Sequence, residues 1–115
     1  MTDTLERLSH IRDAIIKISK YTQRGRSRFD TEEEIQNSVI YYLQIVGEAA
    51  SAIPQDFRNS HTEIPWRPMI SMRNRLIHNY AGIDLDVVWE TATVSIPEIE
   101  PKISAIIVLI QESGE

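Results

Sequence analysis

Residues 73–80, with the sequence RNRLIHNY, place three kinds of reactive side chain in one short segment. The guanidinium of Arg73 can bind phosphate, the imidazole of His78 can exchange a proton near neutral pH, and Tyr80 adds a phenol. A histidine can act as general base toward a ribose 2′-hydroxyl or as general acid toward a leaving 5′-oxygen, while an arginine stabilises phosphorane-like charge. The segment therefore suits cleavage of an RNA phosphodiester.

The spacing of the two central residues restricts how they could cooperate. Arg73 and His78 are five residues apart, which on an ideal helix means a rise of about 7.5 Å and a rotation of about 140°, so they do not share a face. They can converge if the helix ends near His78, as Asn79 and Gly82 permit, or if two copies of the segment face each other in a dimer. A lone histidine at a helix end can also be a simple polar cap, so the spacing alone leaves that role open.

Such chemistry needs no metal, and we expect neither a metal nor another cofactor. Cysteine is absent, which excludes disulfides, thiolate zinc sites and a cysteine nucleophile. The three histidines, His10, His61 and His78, are widely separated along the chain, and no cluster of carboxylates and histidines has the spacing of metal ligands.

The net charge of −5 argues weakly against nucleic-acid binding, but the charge is unevenly distributed. Residues 1–80 carry 11 Lys/Arg against 10 Asp/Glu, whereas residues 81–115 carry one lysine against seven acids. Solvated surface arginines and an RNA-binding surface are equally good interpretations of the basic stretches in the first part. The candidate RNA-binding residues there are Arg24, Arg26, Arg28 and Arg75.

Apolar residues recur at intervals of three and four, and no alternating strand pattern is present. This periodicity predicts an all-α fold, an up-and-down bundle of four to five helices that forms one domain over residues 1–115. A polar connector is expected to run to about Glu63. The first predicted helix starts at Thr2 or Asp3 and ends near Gly25, the second runs from Asp30 to Pro54, and the third runs from Pro65 to between His78 and Gly82. The fourth starts at an Asp86 cap and passes through Trp89, and the fifth starts at Pro97.

The last predicted helix is apolar on more than one face, because five apolar residues follow one another at 106–110. They could belong to the core or contact a partner, and the pattern does not decide between the two. The first ten residues lack the basic and apolar segments of a secretory signal, and the apolar runs are too short to span a membrane. We therefore expect a cytoplasmic protein without a membrane segment.

One ion pair is predicted from pattern alone. Glu48 is the only charged residue between Ile35 and Gln55, and its neighbours are small, so we expect it near a helix contact. Arg73 interrupts the apolar stripe of the third predicted helix, and a buried charge needs a partner. Glu48 is therefore predicted to pair with Arg73 and to orient its guanidinium; a role in helix register alone is the alternative.

Segment 73–80 resembles the signature of the HEPN superfamily, in its HepT-like branch: arginine, any four residues, histidine, any one residue, tyrosine. The similarity covers most of the chain. It extends to residues 46–49 (VGEA), 64–66 (IPW), 88–89 (VW) and 96–97 (IP). By this resemblance, Arg73 and His78 are the catalytic residues and Asn74 is the polar residue that follows the arginine.

The resemblance implies a homodimeric helical bundle whose two motifs line one composite cleft and act as a metal-independent endoribonuclease. It also implies a toxin of a toxin–antitoxin pair, whose partner is a nucleotidyltransferase antitoxin that can add AMP to Tyr80. Adenylylation would add bulk and negative charge at the RNA site and would compete for Arg73.

Two other functions remain open at this point. A non-catalytic nucleotide-binding or scaffolding subunit that serves a nucleotidyltransferase would have the same fold and dimer, and the acidic overall charge favours it mildly. A structural dimerisation module is disfavoured by the intact motif. Loss of RNA cleavage in a His78→Ala variant would separate the ribonuclease from both.

Overall fold

A computed structural model describes residues 2–78 and 82–113. Within these ranges the regular structure is helical and contains no strand, which confirms the all-α prediction. A π-helical turn at Thr91–Ser95 joins the last two α-helices. The α-helices are α1 (Thr2–Thr22), α2 (Arg26–Thr31), α3 (Glu33–Ala52), α4 (Gln55–Ser60), α5 (Trp66–His78), α6 (Leu85–Glu90) and α7 (Ile96–Glu112).

The four long helices α1, α3, α5 and α7 form the bundle. Helix α1 packs against α3 and α7, and α3 packs against α5. The predicted stripe on α1 is confirmed, since Leu8, Ile11, Ile15 and Ile18 are all buried. Burial of such a stripe is the main source of helix stability in a bundle of this size.

The second predicted helix does not begin at Asp30, so that prediction was wrong. Asp30 lies inside the short helix α2, and the chain bends at Glu32, whose backbone is extended, before α3 starts. The bend lets α2 bury the whole Phe29 side chain, whose ring lies 5.1 Å from that of Trp89. Gln36 donates from its amide to the carbonyls of Phe29 and Asp30, which fixes the bend.

Two other predicted boundaries also differ from the structure. The N-cap of α6 is Asp84 and not Asp86: the Asp84 carboxylate accepts hydrogen bonds from the backbone N–H groups of Asp86 and Val87. Asp86 already lies in the first turn of α6, where the backbone N–H two residues further on is not free to donate to its carboxylate. The connector before Glu63 contains the additional short helix α4.

The fourth and fifth predicted helices form one continuous helical stretch. The Ile96 N–H donates to the Thr91 carbonyl, five residues back, as in a π-turn. Pro97 lies in the first turn of α7, as predicted, and it has no N–H to donate and would crowd the carbonyl four residues back. The wider π-turn before Pro97 absorbs this conflict without breaking the helix.

Helix α7 has a buried side and an exposed apolar side, so its core role is confirmed and contact with a partner stays a prediction. Ile106, Ile107 and Ile110 are buried in the core, whereas Val108 and Leu109 are exposed, the latter by 59%. Two apolar side chains therefore face outward at the end of the bundle. None of the helices in the described ranges has the length and apolar character needed to cross a membrane.

Helices α3 and α5 approach each other closely at Gly47. A Cβ atom placed on this residue would collide with the Cβ of Arg73 and would lie 2.8 Å from the Met69 carbonyl oxygen. Gly47 is buried in the middle of α3, where glycine is otherwise a poor helix former. The glycine is therefore required by the packing of α5, and it brings the backbone of Arg73 directly onto α3.

Replacing Gly47 with alanine tests this approach. Alanine gains about 1 kcal/mol in helix propensity, but overpacking a tight contact costs about 1–3 kcal/mol, and the colliding atoms cannot rotate away. We expect the overpacking to dominate, with a midpoint of thermal unfolding lowered by about 5 °C. Circular dichroism during heating measures it.

The neighbouring Glu48→Ala substitution is the matched control, because Glu48 is exposed on the same helix. Surface substitutions of this kind change stability by less than about 0.5 kcal/mol. Equal melting temperatures for the Gly47 and Glu48 variants would contradict the close approach.

Candidate functional site

The Arg73 guanidinium is held by one neighbour on each side of the α3–α5 contact. It donates from Nη1 to the Asn74 side-chain oxygen at 3.0 Å and from Nη2 to the Ser51 hydroxyl at 3.3 Å. The Ser51 hydroxyl donates in turn to the Glu48 backbone carbonyl at 2.8 Å. The Nε of Arg73 is buried and has no hydrogen-bond partner among the described residues. The guanidinium is thus oriented by neutral groups.

The predicted ion pair between Glu48 and Arg73 is not formed. The Glu48 side chain is exposed, and among the described residues Arg73 has no carboxylate within 4.0 Å. The small residues around Glu48 do lie at a close helix contact. Gly47 forms that contact, and Glu48, the next residue on α3, is exposed. Glu48 therefore contributes its backbone carbonyl to the Arg73 network through Ser51.

Ser51 is the residue that the sequence interpretation missed. It lies four residues after Gly47, so the two share one face of α3, and this is the face that α5 contacts. A polar residue one helical turn beyond a packing glycine is the signal that could have identified it.

Asn74 connects Arg73 to the side of α5 that carries His78. Asn74 and His78 are four residues apart and therefore lie about 40° apart around the helix, and both are exposed. His78 is the last residue of α5. The hydrogen bond to Asn74 therefore ties one end of the Arg73 guanidinium to a residue on the histidine side of the helix. Asn79 and Tyr80 lie outside the described residues, so the position predicted for Tyr80 stays a prediction.

Two of the arginines in the basic stretch at residues 20–28 are paired within the protein. Arg26 bonds to the carboxylates of Asp30 and Asp86, and Arg28 bonds to both oxygens of Glu32, at 2.5 and 2.9 Å. The hydrogen bond from Arg28 lowers the pKa of the Glu32 carboxyl. This stretch therefore has less free positive charge than its composition indicates.

The other two candidates have different surroundings. The Arg24 guanidinium lies 5.0 Å from the centre of the Tyr21 ring, a cation–π distance. Arg75 is exposed on α5, borders the groove between α5 and α7, and forms no ion pair with a described residue. Contact of these arginines with RNA stays a prediction.

Comparison with known proteins identifies the class of this site. A family model described as "Ribonuclease HepT-like" matches residues 11–106, which include α3, α5 and the motif. The chain belongs to this family. HepT-like proteins form a branch of the HEPN superfamily, so the resemblance seen in the motif is confirmed, and with it the ribonuclease class of the enzyme.

Two individual relatives match this chain over most of their length. A protein of Thermococcus cleftensis named "Probable ribonuclease HepT" is 42% identical over 96 residues, which cover 83% of this chain and 87% of the relative. A Methanocaldococcus jannaschii protein with a provisional RNase name is 42% identical over 88 residues, covering 72% and 76%. No solved structure matches the chain significantly.

Removing the Ser51 hydroxyl tests how much the orientation of Arg73 contributes to RNA cleavage. Ser51→Ala leaves the charge of Arg73 in place but removes the hydroxyl that accepts a hydrogen bond from the Arg73 Nη2. A hydrogen bond to a charged group is worth about 1.5 kcal/mol at the low end, so we expect kcat/KM for RNA cleavage to fall about tenfold. A cleavage assay on labelled RNA measures the change.

Ser38→Ala is the matched control for this variant. Ser38 lies on the same helix, and its hydroxyl also donates to a backbone carbonyl one turn back, at 2.9 Å from Glu34. The two variants lose the same local bond and differ in the contact with Arg73. An equal loss of activity in both would show that the Arg73 contact contributes nothing.

Proposed function

We propose that this HepT-like protein is a metal-independent endoribonuclease toxin that acts in the cytoplasm and is neutralised by a nucleotidyltransferase antitoxin. The observation that carries the catalytic part is the Arg73–Asn74 hydrogen bond, because it ties the guanidinium to a residue on the face of α5 that carries His78. Family membership supports the ribonuclease, and the motif supports the residue roles.

The reaction uses the ribose 2′-hydroxyl of the substrate as nucleophile. The 2′-oxygen attacks the neighbouring phosphorus, the bond to the 5′-oxygen breaks, and the products carry a 2′,3′-cyclic phosphate and a 5′-hydroxyl. His78 takes the proton of the 2′-hydroxyl or delivers one to the leaving 5′-oxygen. Arg73 stabilises the negative charge that develops on the oxygens bound to phosphorus, and Asn74 holds the Arg73 guanidinium. Each step needs only groups of the protein and RNA.

A homodimer in which two motifs face each other would bring both kinds of residue into one cleft. The exposed apolar side chains Ile77, Val108 and Leu109 support association of two chains, and Ile77 lies beside His78 on α5. A dimer would also supply one molecule's histidine to the other molecule's arginine, where the five-residue spacing keeps them on different sides of one helix.

Neutralisation is proposed to act on Tyr80, two residues after His78. The tyrosine hydroxyl attacks the α-phosphorus of ATP, pyrophosphate leaves, and AMP becomes linked to the tyrosine oxygen. The attached phosphate is negative and would repel RNA phosphates from the cleft and compete for Arg73. The proximity of Tyr80 to His78 in sequence supports this role.

The His78→Ala variant tests the catalytic proposal. Loss of a general acid or base costs about 10²–10⁴-fold in rate, so the variant should stop cleaving RNA and should abolish the growth arrest caused by the wild type. Mapping of RNA ends in the same cells should show new 5′-hydroxyl ends with the wild type alone. Light scattering on the purified protein should give twice the chain mass of 13.2 kDa.

The matched control is His10→Ala, which removes an exposed histidine from α1. It should cleave RNA at the wild-type rate. If wild type, His78→Ala and His10→Ala were equally inactive on RNA and equally harmless to cells, the toxin proposal would be wrong, and a binding subunit for a nucleotidyltransferase would take its place.

Tyr80→Phe tests the proposed neutralisation separately from catalysis. Without the hydroxyl there is no acceptor for AMP, so the variant should keep its ribonuclease activity but escape neutralisation when a nucleotidyltransferase is co-expressed. Mass spectrometry should find AMP on the wild-type chain and none on the variant. Tyr41→Phe, which changes an exposed tyrosine of α3, is the control and should be neutralised like the wild type.

A further inference from the structure

A second polar site lies between α4 and the first half of α5. This pocket has a volume of about 410 Å³, and its polar lining includes Arg58 and Asn59 of α4 and Arg67 and Ser71 of α5. None of the described residues that line it is acidic. We refer to it as the α4–α5 pocket.

The two arginines of the α4–α5 pocket have no acidic partner in the part of the chain that the structure describes. Neither Arg58 nor Arg67 forms an ion pair with a described residue, and the Nε of Arg58 is buried without a hydrogen-bond partner. Two guanidinium groups in one concave site focus positive potential there. Their forked donors match the oxygens of a phosphate group, which can accept two parallel hydrogen bonds.

The α4–α5 pocket and His78 are connected along one line of α5. Arg67, Ser71, Asn74 and His78 follow at intervals of four, three and four residues, which keeps them within a sector about 60° wide. All four are exposed, opposite the buried Met69, Met72 and Leu76 side. From Arg67 to His78 the line rises about 16.5 Å. A ligand lying along this face would touch the pocket and the histidine at the same time.

We propose that the α4–α5 pocket binds a backbone phosphate of the RNA substrate at a distance from the bond that is cleaved. This proposal rests on the proposed ribonuclease function. Phosphates in a stacked strand are spaced by about 3.4 Å along the axis, so the pocket would hold a phosphate up to about five nucleotides from the scissile bond. Such a contact positions the strand and carries no base preference.

Arg58→Gln and Arg67→Gln test the proposal, since glutamine removes the charge and keeps a polar side chain. Binding is measured by fluorescence anisotropy with a mixed-sequence single-stranded RNA of about twelve nucleotides, in a His78→Ala background that does not cut it. Each substitution should weaken binding roughly tenfold at low salt and lower the slope of log affinity against log salt by about 0.7. Arg→Lys variants at both positions should restore the slope.

Cleavage kinetics of variants that retain His78 distinguish positioning of the RNA from catalysis. The Arg→Gln variants should raise KM for the same RNA roughly tenfold and leave kcat unchanged, because the pocket does not contact the reacting atoms. Arg7→Gln is the matched control: it removes the same charge from an exposed position on α1 and should change neither constant.

The outcomes distinguish this proposal from the function on which it rests. Affinities and salt slopes equal to those of Arg7→Gln would overturn the pocket while leaving the ribonuclease intact. Loss of nucleotidyltransferase binding, with RNA affinity unchanged, would assign the pocket to a protein partner. A wild-type protein that neither binds nor cleaves RNA would overturn the pocket's role together with the ribonuclease function.

Discussion

The contact between α3 and α5 at Gly47 determines how the motif is presented. Because a glycine lies there, the backbone of Arg73 can press against α3, and its guanidinium lies within hydrogen-bond distance of a side chain on that helix. Ser51 on α3 and Asn74 on α5 then hold its two ends. A side chain as flexible as arginine loses much entropy when it is ordered, and this packing supplies the order before RNA binds.

The positive charge of the chain is divided by the fold into paired and unpaired groups. Arg26 reaches Asp86, sixty residues away, so an acid from the negative C-terminal third neutralises part of the N-terminal basic stretch. Arg58, Arg67 and Arg75 lie on or beside α5 and pair with no described carboxylate. The net charge of −5 is therefore a poor guide to the α5 surface, where a local excess of arginine remains.

The helices could be predicted from sequence because their apolar residues repeat at the helical period, and burial of that stripe is what stabilises them. The predicted caps at Asp30 and Asp86 were wrong. Both are good capping residues, but at α6 the neighbouring Asp84 accepts the capping hydrogen bonds instead. The start of α3 depends on a contact distant in sequence, the burial of Phe29 against Trp89. Local propensity cannot include such contacts.

The sequence alone determined the all-α class, the order of the long helices and the presence of the motif with its family, because these depend on residue types at short, regular spacings. The tertiary structure decided which groups hold Arg73. From the sequence, Glu48 and Ser51 were equally able to contact α5. The packing at Gly47 leaves the Glu48 carboxylate exposed and places the Ser51 hydroxyl against Arg73. The angle at which two helices cross depends on how their surfaces interlock, and no single helix carries that information.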